Sequence, residues 1–492
     1  MYDHRRGYGI GTYHSCIIFL LLIVTFIPSA NAADAMFRAN AEHTGVYEDG
    51  GIVQNNTELW RLKIGGYVRS SPAVSNGIVF IGSADYKLHA IDAMTRKEKW
   101  RFDTGGAVHS SPAVSNGIVY VGGDKHLYAI DAVTGTEKWR FPTGDAVSSS
   151  PTVSNGIIFV GSSNHNLYAI DAVTGSLKWL FAMGDNVFSS PAISNGVIYA
   201  GSDDKNLYAI NATTGKEEWR FKTGSYVRSS PAVSNGVAYI GSYDGNLYAI
   251  DAVTGKQKWE FTIGRNADPY LAGNDGLVYR PIGETYEWRF IPEIGSSPAV
   301  SNGVVYAGST YDYPSHFLYA IDAVTGKEKW RFERGYEFYS SPVISNGIIY
   351  FGSDSALFAV DEITGVERWR FITGEGVWSS PAVSNGIVYF GSLDGNVYAV
   401  GGVPTSLEPM TMITPTPATI RAVETTQSIA VSNPRIQSTP QPTLLSKSGN
   451  STPVTKTTDL TTQRIQSVYW IVVLIFSIGI LYEGWKAVKP RK

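Results

Sequence analysis

The chain has 492 residues, 43% of them apolar and 12% aromatic, with a formal net charge of −3. That apolar content supports a large folded core, and the near-neutral charge carries no nucleic-acid footprint. A single cysteine, Cys16, excludes a disulfide framework within the chain.

Residues 1–32 read as a signal peptide. Arg5 and Arg6 form the positive region, Ile17 to Ile27 the apolar core, and Ala30-Asn31-Ala32 the small-residue cleavage site. The mature chain is expected to begin at Ala33; left uncleaved, the same stretch would act as a signal anchor. Cys16 lies before the apolar core, so it is not placed as a lipoprotein cysteine, and the mature chain is expected to have no thiol chemistry.

From residue 58 to 402 the chain repeats itself. Ser-Ser-Pro-Ala-Val-Ser-Asn-Gly, or a near copy, recurs with its proline at Pro72, Pro112, Pro151, Pro191, Pro231, Pro298, Pro342 and Pro381, mostly 39 or 40 residues apart. A period near 40 indicates a propeller or a solenoid. Residues 224–260 show one repeat clearly. Short runs such as Val237-Ala238-Tyr239-Ile240 and Asn246-Leu247-Tyr248-Ala249-Ile250 end in Gly, Asn and Asp turn signals. Each repeat therefore predicts four short antiparallel strands. Glycine interrupts the runs too often for helices. The runs are nearly continuous in apolar residues, as in a sheet covered on both faces. Neighbouring propeller blades supply that cover.

A tryptophan keeps the same beat, and Trp60, Trp100, Trp139, Trp179, Trp219, Trp259, Trp330 and Trp369 are assigned to dock adjacent blades. The Asp-x-x-Thr-Gly turns, such as Asp131 to Gly135, are read as turn chemistry in preference to metal ligation, with Asp accepting backbone N–H bonds and Gly supplying positive φ. The first Trp strand, Leu59-Trp60-Arg61-Leu62, precedes any full repeat, and the last repeat stops at Val400. The N-terminal strand is expected to complete the last blade and so remove the open edges. One copy is broken, with only 29 residues between Trp259 and Trp288. The fold expected is all-β, an eight-bladed β-propeller of four-stranded antiparallel blades, with residues 263–287 as an insert or degenerate repeat. Nine blades, one of them stunted, is the alternative.

Residues 403–466 are rich in Thr, Ser and Pro and read as a disordered stalk. As a flexible coil it would span about 45 Å. Residues 467–485 follow as a transmembrane helix, with Val468 to Trp485 long enough to cross a bilayer core of about 30 Å. The basic tail, 486–492, places the C-terminus in the cytoplasm and the propeller on the extracytoplasmic side. Asn55, Asn211 and Asn450 stand in Asn-x-Ser/Thr sequons and are glycosylation candidates.

The pattern Leu-Tyr-Ala-Ile-Asp-Ala-x-Thr-Gly-x-x-x-Trp resembles the tryptophan-docking repeat of the PQQ-like propellers, a superfamily that includes quinoprotein alcohol dehydrogenases and the outer-membrane assembly lipoprotein BamB. Met36 to Gly45, within a lead-in spanning 33–57, is similar to the segment that precedes such propellers. The resemblance implies that the first strand of each repeat lines the central channel. The residue before Ser-Ser-Pro varies between copies: Arg69, His109, Ser148, Phe188, Arg228, Gly295, Tyr339 and Trp378. With Tyr67 and Tyr226, the six large members of this set (Arg69, His109, Phe188, Arg228, Tyr339 and Trp378) are the candidate ligand-binding rim at the channel entrance. The turns between second and third strands should reach the same face, including the acidic pair Asp203-Asp204, expected to be solvated. A drifting, solvated rim with no ligand is the bland reading of all these positions.

Aromatic planes mixed with Arg, Asp and His suit a sugar, a peptide or an anionic small molecule. The function expected is a non-enzymatic, cell-surface binding, adhesion or scaffold module, with no cofactor, no metal and no catalytic residue. Its partner would be a cell-surface glycan, a peptide or an envelope protein. One alternative is an envelope protein-assembly scaffold resembling BamB. A second is a dehydrogenase using PQQ and calcium, against which stands the lack of any distinct set of unusual inward carboxylates to ligate the ion.

Overall fold

The repeat folds as it does because each short apolar run is closed by a turn of defined handedness. The computed structural model describes residues 35–402 apart from 49, 52, 54, 264–276, 283–284, 291–293, 311–315 and 335–337; of 277–282 and 285–290 only the backbone is described. The expected signal peptide, stalk, transmembrane helix and basic tail, with Asn450, lie outside the described residues. Among the described residues no helix is long and apolar enough to cross a membrane.

In blade 1 the strands are Ala73–Ser75, Ile78–Gly82, Lys87–Asp92 and Lys97–Asp103, hydrogen-bonded in that order. Asn76 and Gly77 join the first two with φ of 50° and 72°. This is the two-residue hairpin whose twist matches that of the strands, and Asn-Gly is its preferred pair. The same four-stranded order recurs as blades 2 to 7, at residues 113–142, 152–182, 192–222, 232–262, 299–334 and 343–372. Blade 8 takes three strands from residues 382–401 and its fourth, Glu58–Lys63, from the start of the domain. Trp60 pairs with Ala399 and Lys63 with Asn396, so the chain closes its own ring as expected.

Burial explains the pattern of the runs. In blade 4 the second and third strands are buried along nearly their whole length, whereas the outer strand Glu217–Lys222 alternates between half-buried and exposed. Strands covered on both faces need continuous apolar sequence; a strand with one wet face does not.

The ring is held at its centre by serine. The backbone N–H of Ser71 donates to Ser111 Oγ of the next blade at 2.9 Å, and Ser111 donates likewise to Ser150. The relay continues through Ser190, Ser230, Ser297, Ser341 and Ser380, and Ser380 donates back to Ser71 at 3.0 Å. Eight hydrogen bonds thus form a closed circle, one for each blade boundary. The preceding serine accepts within its own blade and can donate to the next, as where Ser189 Oγ accepts the Gly201 N–H at 3.0 Å and donates to the Ser229 carbonyl of blade 5 at 3.1 Å.

The tryptophans hold the outside. Trp179 Nε1 donates to the Ala212 carbonyl of the next blade at 3.0 Å. Its ring lies over Gly215, where a Cβ would come within 2.7 Å of the indole. Only glycine fits there, and at φ 68° only glycine is unstrained. Trp100, Trp139, Trp219 and Trp259 dock in the same way, whereas Trp60 donates to the Ala93 carbonyl of blade 1, whose turn carries Arg96 at φ 64° in place of the glycine. Trp330 lies over Gly365 of blade 7. Trp369 packs on Tyr350, and blade 8, whose third strand ends at Gly401, has no such turn.

The broken copy is bypassed. Ser230 of blade 5 bonds directly to Ser297 of blade 6, and Trp259 reaches the Ala323 carbonyl of blade 6 at 3.0 Å. Strands Leu277–Ile282 and Thr285–Phe290 pair only with each other. The ring therefore has eight blades, and Trp288 belongs to the inserted hairpin.

The lead-in closes one end of the channel. Its carbonyls accept from the inner strands of successive blades: Ala41 from Ile193, Glu42 from Val233, Thr44 from Val300, Gly45 from Ile344 and Gly50 from Gly386. Arg38, 2% exposed, donates to the carbonyls of His43, Ser297 and Pro298. Thr152, standing where most repeats have alanine, donates to the Pro191 carbonyl at 2.6 Å and shares a 3.1 Å hydrogen bond with His43 Nε2.

Three outcomes follow. Ser150→Ala leaves the buried Ser111 N–H without its acceptor and should cost about 1–3 kcal/mol in chemical denaturation. Trp179→Ala should cost about 3 kcal/mol or more. The third outcome concerns pH. Burial, and secondarily the Arg38 charge, pushes the His43 pKa from 6.5 down to about 3. The unfolded chain then takes up a proton below pH 6.5 that the folded chain refuses. Stability should fall by roughly 1.4 kcal/mol per pH unit from this group between those two values as the solution is acidified. His43→Gln should remove that part of the slope in denaturation curves recorded across the window.

Candidate functional site

Each inner strand runs from the variable residue, through Ser-Ser-Pro, to the end covered by the lead-in. The variable residues therefore ring the end of the channel opposite the lead-in. Ser148 and Gly295, on blades 3 and 6, are the small members of the set, and they separate two arcs of large side chains.

The longer arc crosses blades 7, 8, 1 and 2. The Tyr339 and Trp378 rings lie 4.3 Å apart at 33°. The Arg69 guanidinium sits 4.3 Å from the Trp378 ring centre and 5.0 Å from that of Tyr67. Tyr67 stacks on His109 at 6.2 Å and 16°. Tyr67 and Arg69 are exposed, and the other three are half-buried. Partial burial, reinforced by the Arg69 charge, holds the His109 pKa below its ordinary value. The imidazole is thus neutral at pH 7, able to donate or accept one hydrogen bond. Among the described residues Arg69 makes no ion pair.

The shorter arc, on blades 4 and 5, uses the same residue types to a different end. Arg228 lies within 5.5 Å of the ring centres of Phe188, Tyr226 and Tyr243. Its Nε and Nη2 donate to the two carboxylate oxygens of Asp203 at 2.9 and 2.8 Å. Asp203 is 5% exposed, and its bidentate grip raises the Arg228 pKa further. This arginine is neutralised in place.

The structure corrects the expectation of a solvated Asp203-Asp204 pair. Asp203 is buried against Arg228, and Asp204 accepts from the Gly184 N–H and the Tyr208 hydroxyl. Asp244 is engaged likewise with Gly224 and Tyr248. Among the described residues no group of three or more His, Cys, Asp or Glu side chains converges to hold a metal ion. The Asp-x-x-Thr-Gly carboxylates are taken up as turn acceptors: Asp251 Oδ1 receives the Val253 and Thr254 N–H groups, and these bonds lower its pKa to about 2. Tyr336, Glu337 and the turn at 311–315 lie outside the described residues.

Two sequons are described. Asn55 is exposed and uses only its Oδ1, toward the Thr57 N–H. Asn211 replaces the turn Asp of blade 4; its Oδ1 holds the Thr213 and Thr214 N–H groups and its Nδ2 donates to Glu218. What sequence reasoning missed is the partner of Arg38 and His43. The one available signal was Thr152, the single inner-strand copy with threonine where alanine or valine stands elsewhere.

A cavity of about 330 Å³ lies at the opposite end, between the lead-in and blades 1 and 8. Its walls combine small aliphatic groups such as Ala35, Val46, Ala73 and Val383 with Asn40, Tyr47 and Glu48.

No curated protein matches this chain. Among solved structures, quinohemoprotein alcohol dehydrogenase from Comamonas testosteroni is 17% identical over 74% of this chain and 80% of that one, with a TM-score of 0.60. BamB from Moraxella catarrhalis is 16% identical over 71% of this chain and all of its own, with a TM-score of 0.57. The computationally designed Ika8 protein, at 18% identity over 70% of this chain and all of its own, reaches 0.58. These likenesses establish the fold alone. The profile of the family described as outer membrane protein assembly factor BamB matches residues 50–179, 128–270 and 284–402. With repeats, docking tryptophans and ring closure all in that pattern, the chain belongs to this family of PQQ-like β-propellers.

Proposed function

We propose that this propeller is a non-enzymatic binding module, presented on the extracytoplasmic side of a membrane by the C-terminal helix and stalk, and that its ligand enters the channel mouth. One observation carries the reading. On a scaffold that otherwise repeats itself, the residues that differ between copies assemble into a continuous strip, Tyr339–Trp378–Arg69/Tyr67–His109, at the only end of the channel the lead-in leaves uncovered. Aromatic faces around a few polar groups are the usual composition of a ligand site.

Membership of the BamB family favours one second reading, an envelope-assembly scaffold in which the mouth receives a partner protein. The quinoprotein reading is disfavoured by the engaged carboxylates described above.

Thermal-shift titration of the purified full chain with PQQ plus calcium, surface glycans and peptides tests this. A ligand of the folded state at 100 times its Kd adds about 2.7 kcal/mol of stability. PQQ with calcium should give no shift, and a glycan or peptide should give one that Trp378→Ala abolishes. A saturable shift with PQQ and calcium, accompanied by alcohol oxidation, would overturn the reading.

A further inference from the structure

We infer that the ligand of the longer arc is a carboxylate-bearing glycan of the uronic-acid type, bound with its acid on Arg69 and a sugar ring on Tyr67. The inference rests on the mouth being a ligand site, and it follows from a comparison the molecule makes with itself.

The two arcs share one architecture, an arginine held between aromatic rings. In the shorter arc the guanidinium edge is filled by Asp203 in a bidentate pair. In the longer arc the same edge is open: Arg69 is exposed and, among the described residues, pairs with no carboxylate. Stacking engages the faces of the guanidinium and leaves its N–H groups, which lie in the plane, free to donate. The Trp378 and Tyr67 contacts hold that plane against rotation, which lowers the entropy lost when an anion docks. An external carboxylate would complete in the longer arc the geometry that Asp203 completes in the shorter one. The loop position that holds Asp145 and Asp185 on blades 3 and 4 holds Gly66 and Gly106 beside Arg69 and His109, and Glu375 on blade 8, with the Asp85 and Asp124 side chains lying against Gly65 and Gly106.

The rest of the strip selects a sugar over a peptide. A pyranose has an apolar C–H face that packs flat on an aromatic ring and hydroxyls that remain in water. The Tyr67 ring is exposed and offers such a platform, while Trp378, between Tyr339 and Arg69, holds the guanidinium in place. Peptide anchors instead need deep, desolvated pockets. Peptide addition to a sheet needs a free strand edge, and the inner strands spend theirs on the serine circle and the lead-in. The strip spans four blades, which suits an oligomer. Neutral His109 at its end offers a sugar hydroxyl one hydrogen bond.

The test is calorimetric titration of the full chain in detergent with oligogalacturonate, its methyl ester, hexaglutamate, and PQQ plus calcium. Oligogalacturonate should bind and weaken with added salt. Methyl esterification, Arg69→Gln and Trp378→Ala should each weaken it at least tenfold, and Arg228→Gln less than twofold, with folding of each variant checked by its melting temperature. Equal binding of the ester, tighter binding of hexaglutamate, binding unchanged in Arg69→Gln, or no binding of oligogalacturonate would each overturn the inference. Binding of the ester or of hexaglutamate that is lost in Trp378→Ala would overturn it while leaving the mouth as the ligand site; binding of PQQ with calcium lost in that variant would overturn both.

Discussion

The structure depends on how a propeller treats the strand edge that faces its own axis. Each inner strand has only one neighbour in its sheet, so its other side would expose unpaired backbone groups to the channel. Ser-Ser-Pro resolves this within three residues. The first serine accepts from a glycine of its own blade, the second joins its N–H and Oγ to the two adjacent blades, and proline has no N–H to satisfy. Because the bonds close on themselves from Ser380 to Ser71, the number of blades and the radius of the channel are set together.

The outer contacts follow from that radius. With inner strands held at one spacing, the outer strands of blades 1 to 6 each meet the next blade's Asp-x-x-Thr-Gly turn, and a tryptophan over glycine fills the gap. The insert after blade 5 is tolerated because both the serine circle and the tryptophan contact pass it by. The lead-in then uses the remaining inner-strand donors at one end, with Arg38 satisfied by three carbonyls where no carboxylate is needed. One end of the channel is spent on structure, and the other is free to differ between copies.

That division is what separates function from fold here. The same propeller serves dehydrogenases and assembly factors, and a designed sequence adopts it as well. The chemistry lies in side chains, and the repeat supplies its own control: two arginine–aromatic clusters, one closed by Asp203 and one open at Arg69.

Sequence periodicity alone determined the strands, the turns, the docking tryptophans and the completion of the last blade by Leu59-Trp60-Arg61-Leu62, because each rests on contacts within one repeat or to the next, copied many times. The identity of the rim positions was legible for the same reason, since variation stands out against copies. The partnerships were not. Arg69 meets Trp378 only because the ring closes, His43 meets Thr152 only because the lead-in crosses the channel, and Asp203 is buried instead of solvated only because Arg228 folds over it from the next blade. Eight blades in place of nine was likewise decided in three dimensions, by Ser230 reaching Ser297 across the insert. Local hydrogen bonding repeats along a sequence and can be read there; side chains brought together by closure are far apart in the chain, and only the tertiary fold sets their distance.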